Sequence, residues 1–226
     1  MPSVKSLFQQ ANSYLACSIC RTPLFGLVEM DAWGNRYCVH HSKELPRCTC
    51  CQRLICDMLT SGGVAYRDKR LVCNICRKTA IDTKEKAKPY VEAVAAWLFK
   101  KGLVFQNFKM HFNLVYLDYL HSRIKSGYGT PQGMIYHTKN SRVRRVDGIA
   151  ILKGLSLQVM SGVVAHELGH AWIFLKGIDG LPLPLEEGFC NTLSYLYNSE
   201  FDTDEARFCN RVIKESPDKV YGDGFR

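Results

Sequence analysis

Residues 166–170 read His-Glu-Leu-Gly-His, a spacing that suits metal chemistry. Residues four apart lie on one face of an α-helix, so the imidazoles of His166 and His170 can reach the same ion. Glu167 then lies at the flank, where a carboxylate can act as a general base. Burying these three groups in an apolar helix without a purpose would be costly. The pattern therefore predicts a catalytic zinc site.

A catalytic zinc takes three protein ligands and leaves a fourth position open, so a further ligand is expected downstream. Glu186 and Glu187 fall in the first turn of a second predicted helix, which follows two prolines. The residues alone leave both carboxylates open as the third ligand. Asn191, one turn later, either holds a ligand histidine through a hydrogen bond or is a surface residue.

Bound zinc would lower the pKa of a water molecule to about 7, and Glu167 would take its proton and later protonate the leaving amine. A side chain that stabilises the oxyanion is also expected. Tyr221, Tyr195 and His137 are the candidates, and the sequence does not separate them.

Substrate binding is expected at the strand predicted for 146–152, VDGIAIL. Its residues Gly148, Ile149 and Ala150 would present a strand edge to an extended peptide backbone. The alternative is that these residues form an ordinary core strand.

Cysteines crowd the first third of the chain, where residues 1–76 hold nine of the eleven. Four pairs of ligands have the same two-residue spacer, which lets a tight turn point both side chains at one ion. The pairs predict two structural zinc sites, the first from Cys17, Cys20, Cys38 and His41 and the second from Cys48, Cys51, Cys73 and Cys76. His40 and Cys50 would shift the register by one residue, but the spacing favours His41 and Cys51. Cys56, Cys190 and Cys209 are expected to be packing thiols.

The elements that must position these groups indicate an α+β fold with two domains, residues 1–82 and 83–226. The first is a zinc-binding module. The second begins with a helix over 83–102 that ends at Gly102, continues through strands over 110–117, 133–138 and 146–152, and then enters the apolar helix 155–177.

The net charge of +9 is misleading until metal is counted. Residues 1–82 carry eleven basic and six acidic groups, +5. Two zinc ions add four charges and seven thiolates remove seven, which leaves 5 + 4 − 7 = +2. One dense basic cluster remains, with no interleaved aromatic residue, so the sequence argues against nucleic acid as a partner. This basic cluster consists of Lys139, Arg142, Arg144 and Arg145. It is either a solvated face or a docking site for an acidic segment of a substrate.

No uncharged apolar run reaches the roughly 18–20 residues of a membrane span, and the N-terminal segment lacks the pattern of a secretory signal. We therefore expect a cytoplasmic protein without membrane contact. In that reducing compartment, paired cysteines are more often zinc ligands than disulfides.

The ordered set of motifs CSIC, YCVHH, PRCTCC, VCNIC, AHELGHAW, LEEGFCNTLSYL and VYGDGFR resembles the DA-one family of ubiquitin-activated, LIM-type metallopeptidases. The resemblance implies a LIM-like double zinc ribbon followed by a zincin domain, protein substrates, and ubiquitin or ubiquitin-pathway proteins as partners. The segment Glu-Glu-Gly-Phe is similar to that of gluzincin aminopeptidases, whose ligand corresponds to Glu187.

Two features depart from the resemblance. LIM modules usually place His before Cys in the second pair and two residues between the zinc sites, whereas here Cys38 precedes His41 and six residues follow. The ubiquitin-interacting helices of plant members are not found in this sequence. The expected function is a zinc-dependent endopeptidase, and the alternative is a LIM-type scaffold with an inactive peptidase-like domain.

Overall fold

The computed structural model describes residues 16–25, 28–105, 110–124, 130–140 and 143–226. The fold mixes α and β, with small sheets. It divides into two compact units, Met1–Lys78 and Thr79–Arg226. Residues 79–82, which the sequence assigned to the first domain, fall in the second unit because Ile81 exchanges two backbone hydrogen bonds with the segment before the long apolar helix. Its N–H donates to Leu155 O and its carbonyl accepts from Gly154 N, both at 2.9 Å.

The first unit contains two hairpins and three short helices among its described residues. In chain order these are β1 (Glu29–Met30), β2 (Arg36–Tyr37), α1 (Val39–Glu44), α2 (Asp57–Thr60), β3 (Gly63–Ala65), β4 (Leu71–Cys73) and α3 (Asn74–Arg77). Both hairpins, β1–β2 and β3–β4, are antiparallel. Each leads into a short helix whose N-cap residue is a cysteine, Cys38 for α1 and Cys73 for α3.

The tight turns that precede the two hairpins also share one geometry. Arg21 N donates to Cys17 O at 3.0 Å, and Gln52 N donates to Cys48 O at 2.9 Å. Arg21 and Gln52 both have left-handed φ angles, 61° and 62°. The unit thus repeats one arrangement of turn, hairpin and helix, and every predicted ligand pair lies either in a turn or at a helix start.

The second unit begins with α4 (Lys84–Lys100), whose N-cap Thr83 accepts a hydrogen bond from Lys86 N. Its other elements are β5 (Phe112–Val115), α5 (Leu117–His121), β6 (Gly133–Lys139), β7 (Arg144–Leu152), α6 (Leu157–Leu175), α7 (Leu183–Asn198) and α8 (Asp204–Lys214). The helices and strands expected from hydrophobic periodicity are therefore confirmed.

The sheet of this unit has the order β5-β7-β6, with β5 parallel and β6 antiparallel to β7. Ile149 pairs with Phe112 on one side and Ile135 on the other. The prediction that Gly148, Ile149 and Ala150 present a strand edge is wrong, because both edges of β7 are already paired. Gly148 instead allows the backbone of His111 to approach β7 closely, because a Cβ on residue 148 would lie 3.0 Å from the His111 backbone oxygen.

Helix α6 packs against β6 and β7 and also against α7. A glycine and a side-chain hydrogen bond mark the contact between α6 and α7. A Cβ on Gly169 would lie 2.9 Å from Cys190 Sγ, and the carbonyl of Gly162 accepts a 2.6 Å hydrogen bond from Ser194 Oγ. Cys190 is fully buried in this contact, as its prediction as a packing thiol requires.

The basic cluster is paired within its own unit. Lys139 and Arg144 lie 2.9 and 2.6 Å from Asp179, and Arg145 lies 2.5 Å from Asp147. Arg142 lies outside the described residues. These carboxylates offset the charge that would attract an acidic partner. In the part of the chain that the structure describes, no helix is both long and apolar enough to cross a bilayer.

Candidate active site and metal centres

The two histidines of the 166–170 motif and one carboxylate of α7 converge on a single point. His166 Nε2 lies 3.1 Å from His170 Nε2. Glu187 Oε2 lies 3.1 Å from the first of these nitrogens and 3.5 Å from the second. The helical spacing brings the imidazoles together, and the packing of α7 on α6 adds the carboxylate.

The other nitrogen of each imidazole is held by a residue of α7. Asn191 donates from Nδ2 to Tyr221 O at 2.9 Å, so its Oδ1 faces His166 Nδ1, 3.1 Å away. His170 Nδ1 lies 2.9 Å from Glu186 Oε1. An amide oxygen and a carboxylate both accept, so each Nδ1 carries a hydrogen, which leaves the Nε2 lone pair for a metal.

This donor set fits a zinc ion. Glu187 Oε2 is buried and accepts no hydrogen bond from any described residue, although two imidazole nitrogens are close. Ligand atoms around a tetrahedral zinc are about 3.3 Å apart, since each bond is about 2.0–2.1 Å long. The three observed separations, 3.1, 3.1 and 3.5 Å, bracket that value. A cation is what would make such a convergence of lone pairs favourable.

The electrostatics of the same residues agree with a cation site. Burial would raise the pKa of Glu187, but the neighbouring imidazoles of His166 and His170 lower it to about 2. Burial would lower the pKa of His170, but its contacts with Cys190, Glu186 and Glu187 raise it. Both shifts reflect the attraction between the carboxylates and positive charge on the imidazoles. A bound cation would compete with protons for the same nitrogen and oxygen lone pairs.

Glu167 lies beside the cluster in an apolar environment. The residue is only 6% exposed, and burial raises the pKa of its carboxyl group. Gly133 of β6 leaves the space that this side chain occupies, because a Cβ there would lie 2.7 Å from Glu167 Oε1. A carboxylate with a raised pKa accepts a proton more readily near neutral pH, as a general base must.

Sequence reasoning missed two neighbours of the cluster. Glu186 was weighed as a ligand, whereas the structure places it at the far nitrogen of His170. The His170 imidazole also contacts the Cys190 thiol, whose burial raises its pKa to about 11. The helical spacing of Glu186, Glu187 and Cys190 was a usable signal, since positions three and four apart share a face.

The three aromatic candidates for oxyanion stabilisation separate in the structure. The Tyr221 ring lies 6.4 Å from the His166 ring. Tyr195 packs on Phe225, and His137 packs on Phe174 at 4.3 Å. Among their described ring contacts, only that of Tyr221 is with a residue of the cluster.

The first unit brings both predicted ligand sets together. The four groups of each set lie within 4.8 Å of one another, and the sets are Cys17, Cys20, Cys38, His41 and Cys48, Cys51, Cys73, Cys76. In the first, His41 presents Nδ1, which lies 3.1 Å from Cys38 Sγ. In the second, Cys51 and Cys73 have sulfurs 3.7 Å apart. Sulfur ligands on a tetrahedral zinc are about 3.8 Å apart, so the clusters could form zinc sites.

Backbone groups help these thiols to ionise. Cys73 N donates to Cys48 Sγ at 3.3 Å. Burial would raise the pKa of Cys17, but backbone hydrogen bonds lower it to about 7. The second set is fully buried, whereas in the first Cys20 is exposed and Cys38 and His41 are partly exposed.

Comparison with known proteins finds a family model that matches part of this chain, and relatives that align with most of it. Residues 119–205 match the family model described as DA1-like, Protein DA1. Protein DA1 of Arabidopsis thaliana is 24% identical over 93% of this chain and 52% of its own length. Protein DA1-related 2 of the same plant is 26% identical over 80% of the chain and 41% of its length. LIM domain-containing protein HDR3 of Oryza sativa subsp. japonica is 25% identical over 80% and 44%.

The chain spans about half the length of the curated relatives that it matches. No solved structure matches it significantly. The family match covers the helix with the 166–170 motif and all of α7, and the longer alignments extend over most of the chain. These findings confirm the resemblance to the DA1 family that the sequence motifs indicated.

Proposed function

We propose that the second unit is a zincin-type, gluzincin-like domain and that the protein is a zinc-dependent endopeptidase. One observation carries the proposal: two Nε2 atoms and a buried carboxylate oxygen converge within 3.1–3.5 Å, with Glu167 beside them. His166, His170 and Glu187 would hold the catalytic zinc. The two cysteine clusters of the first unit would hold two structural zinc ions in a LIM-like module.

The residues divide the chemistry among them. Bound zinc would supply Lewis acidity, which polarises the scissile carbonyl and acidifies a water molecule. Glu167 would take a proton from the attacking water and pass it to the leaving amine. Asn191 and Glu186 would keep the imidazoles of His166 and His170 oriented.

The free edge of strand β6 is a site where an extended protein substrate could bind. Among the described residues, β6 is paired only with β7, so its outer side offers free backbone groups. Its first residue, Gly133, touches Glu167. A peptide added to this edge would run past Glu167, the proposed general base. We therefore propose that β6 binds the substrate backbone, a role that the sequence analysis gave to Gly148, Ile149 and Ala150.

The competing proposal is a LIM-type scaffold with an inactive peptidase-like domain. The buried Glu167 favours the enzyme, because a scaffold has no need for a carboxyl group whose burial disfavours its charge. Protein substrates, a cytoplasmic location and contact with ubiquitin remain proposals that rest on the resemblance to the DA1 family. Nucleic acid is disfavoured by the paired basic cluster.

The test is cleavage of a degenerate peptide library and of denatured proteins, read by mass spectrometry, for the zinc-loaded chain and for Glu167→Gln. The variant keeps the shape of the side chain but cannot accept the proton, so we expect it to lose about 10²- to 10⁴-fold in rate. It should keep its zinc. A second arm conjugates ubiquitin to the chain and measures the same cleavage.

Activity that survives zinc removal, or that Glu167→Gln retains, would contradict the peptidase proposal. A wild-type chain that binds zinc but cuts nothing, with or without ubiquitin, would favour the scaffold. Equal rates with and without conjugated ubiquitin would remove ubiquitin as the regulator and leave the peptidase assignment intact.

A further inference from the structure

Residues 216–226, here called the C-terminal loop, are folded by their own hydrogen bonds. Asp218 Oδ1 accepts from Val220 N at 2.8 Å and from Tyr221 N at 3.0 Å. The Arg226 guanidinium donates to Ser216 O at 3.0 Å, which ties the two ends of the loop together. The loop therefore has a defined shape of its own.

The C-terminal loop docks on the first turns of α7 through backbone contacts that only glycine permits. A Cβ on Gly188 would lie 1.8 Å from Gly224 O, and a Cβ on Gly224 would lie 1.8 Å from Pro184 O. The contact thus flanks Glu186 and Glu187 in sequence. Phe225 adds a ring contact with Tyr195 at 5.2 Å. These contacts fix the loop against α7, the helix that carries Glu186 and Glu187.

This docking places Tyr221 near His166, one of the proposed zinc ligands. Its ring lies 6.4 Å from that of His166, and Asn191 joins the two residues by bonding both Tyr221 O and His166 Nδ1. That link uses the backbone of Tyr221, and no described residue hydrogen-bonds to its hydroxyl. The phenol is thus left available to a ligand of the cluster.

The phenol keeps its hydrogen at neutral pH. The ordinary pKa of a tyrosine phenol is about 10, well above neutral pH. It is therefore a hydrogen-bond donor, and a neutral one.

We propose that Tyr221 donates a hydrogen bond to the oxyanion that forms on the scissile carbonyl. This inference rests on the proposed peptidase function. The water oxygen bonds to the carbonyl carbon, its proton passes to Glu167, and the carbonyl π pair moves to the oxygen, where the phenol O–H stabilises it. The pair then re-forms the carbonyl as the C–N bond breaks, and Glu167 protonates the amine. Tyr221 keeps its own proton throughout.

The test compares Tyr221→Phe with Tyr195→Phe. Tyr195 also lies where α7 meets the C-terminal loop, but its ring contacts Phe225 and not His166, so it serves as the control. Loss of one oxyanion donor lowers kcat by about 10²- to 10³-fold. We expect that loss for Tyr221→Phe, with KM, zinc content and melting temperature unchanged, and no loss for Tyr195→Phe.

A second readout is the affinity of a phosphinic peptide, which mimics the tetrahedral oxyanion, measured by calorimetry. Tyr221→Phe should weaken the binding of this analogue by a factor similar to the fall in kcat. In a Glu167→Gln background, it should leave the affinity of an uncleaved substrate peptide unchanged.

The outcomes separate the two proposals. If the wild-type chain neither cleaves peptides nor binds the phosphinate, the peptidase function fails and the role of Tyr221 fails with it. If the wild type is active and Tyr221→Phe matches it in kcat and phosphinate affinity, only the Tyr221 inference is overturned. Loss of zinc or a lower melting temperature in Tyr221→Phe also overturns it, because the phenol would then be structural.

Discussion

Glu186 and Glu187 are neighbours that contact different nitrogens of the two histidines. Successive residues of a helix point about 100° apart, so the two carboxylates approach the histidines from different directions. Glu187 Oε2 reaches both Nε2 atoms, whereas Glu186 Oε1 reaches His170 Nδ1. The residues alone could not separate them, because either glutamate can bind zinc. The contact of α7 with α6 makes the distinction.

The residue-scale prediction follows from these distances. Glu187→Ala removes one of the three proposed ligands, and we expect it to lose the catalytic zinc and all peptidase activity. Glu186→Ala leaves the ligands in place but frees the His170 ring, so zinc affinity should fall about 10- to 100-fold. Glu186→Gln is the matched control, since its amide oxygen can accept the same hydrogen bond. Zinc dissociation constants are measured by competition with a chelating dye.

Retention of tight zinc by Glu187→Ala, together with its loss in Glu186→Ala, would exchange the two roles. It would also break the similarity to gluzincin aminopeptidases, in which the glutamate next to glycine is the ligand.

At the scale of elements, strand β6 fixes the position of Glu167. Gly133 begins this strand, and a Cβ there would meet Glu167 Cγ and Val163 Cγ1, each at 2.8 Å. Both side chains belong to α6, which packs against the sheet. The proposed general base, Glu167, is therefore held between its own helix and the edge strand.

Gly133→Ala should displace the Glu167 side chain without changing the positions of His166, His170 and Glu187. We expect kcat to fall by at least about tenfold, because misplacement by about 1 Å can cost 10²-fold in rate. The zinc content should not change. The double variant Gly133→Ala with Val163→Ala removes one of the two clashes and should recover part of the rate. An unchanged kcat in Gly133→Ala would show that the edge strand does not position the base.

Local patterns in the sequence predicted the elements and their ligands, but not the contacts between distant segments. The 166–170 motif and the cysteine pairs depend on spacing within one turn or helix, which the chain itself sets. The error at Gly148, Ile149 and Ala150 arose because an apolar strand reads the same whether central or at an edge. The position of Tyr221 depends on the approach of Gly224 to Gly188, a contact between segments far apart in sequence.

At the scale of the whole molecule, the described residues contain three ligand clusters that differ in access to solvent. The cluster of Cys48, Cys51, Cys73 and Cys76 is fully buried, and that of Cys17, Cys20, Cys38 and His41 is partly exposed. The cluster of α6 and α7 brings His166, His170 and Glu187 together, and the proposed catalytic zinc would keep its fourth position open for water. Closed thiolate sites hold zinc more firmly than open ones, so the clusters should release metal at different rates.

We therefore predict three zinc ions per chain and an ordered loss of them. Under a slow chelator, peptidase activity should disappear with the first zinc, the partly exposed cysteine cluster should empty next, and the buried cluster last. Released zinc is followed with a dye, and unfolding of the first unit by hydrogen exchange. Cys76→Ser should lower the zinc content to two ions per chain. Cys56 belongs to none of the clusters, so Cys56→Ser should keep three. A reproducible value of one or two in the wild type, or activity that outlasts the buried cluster, would remove one of the proposed sites.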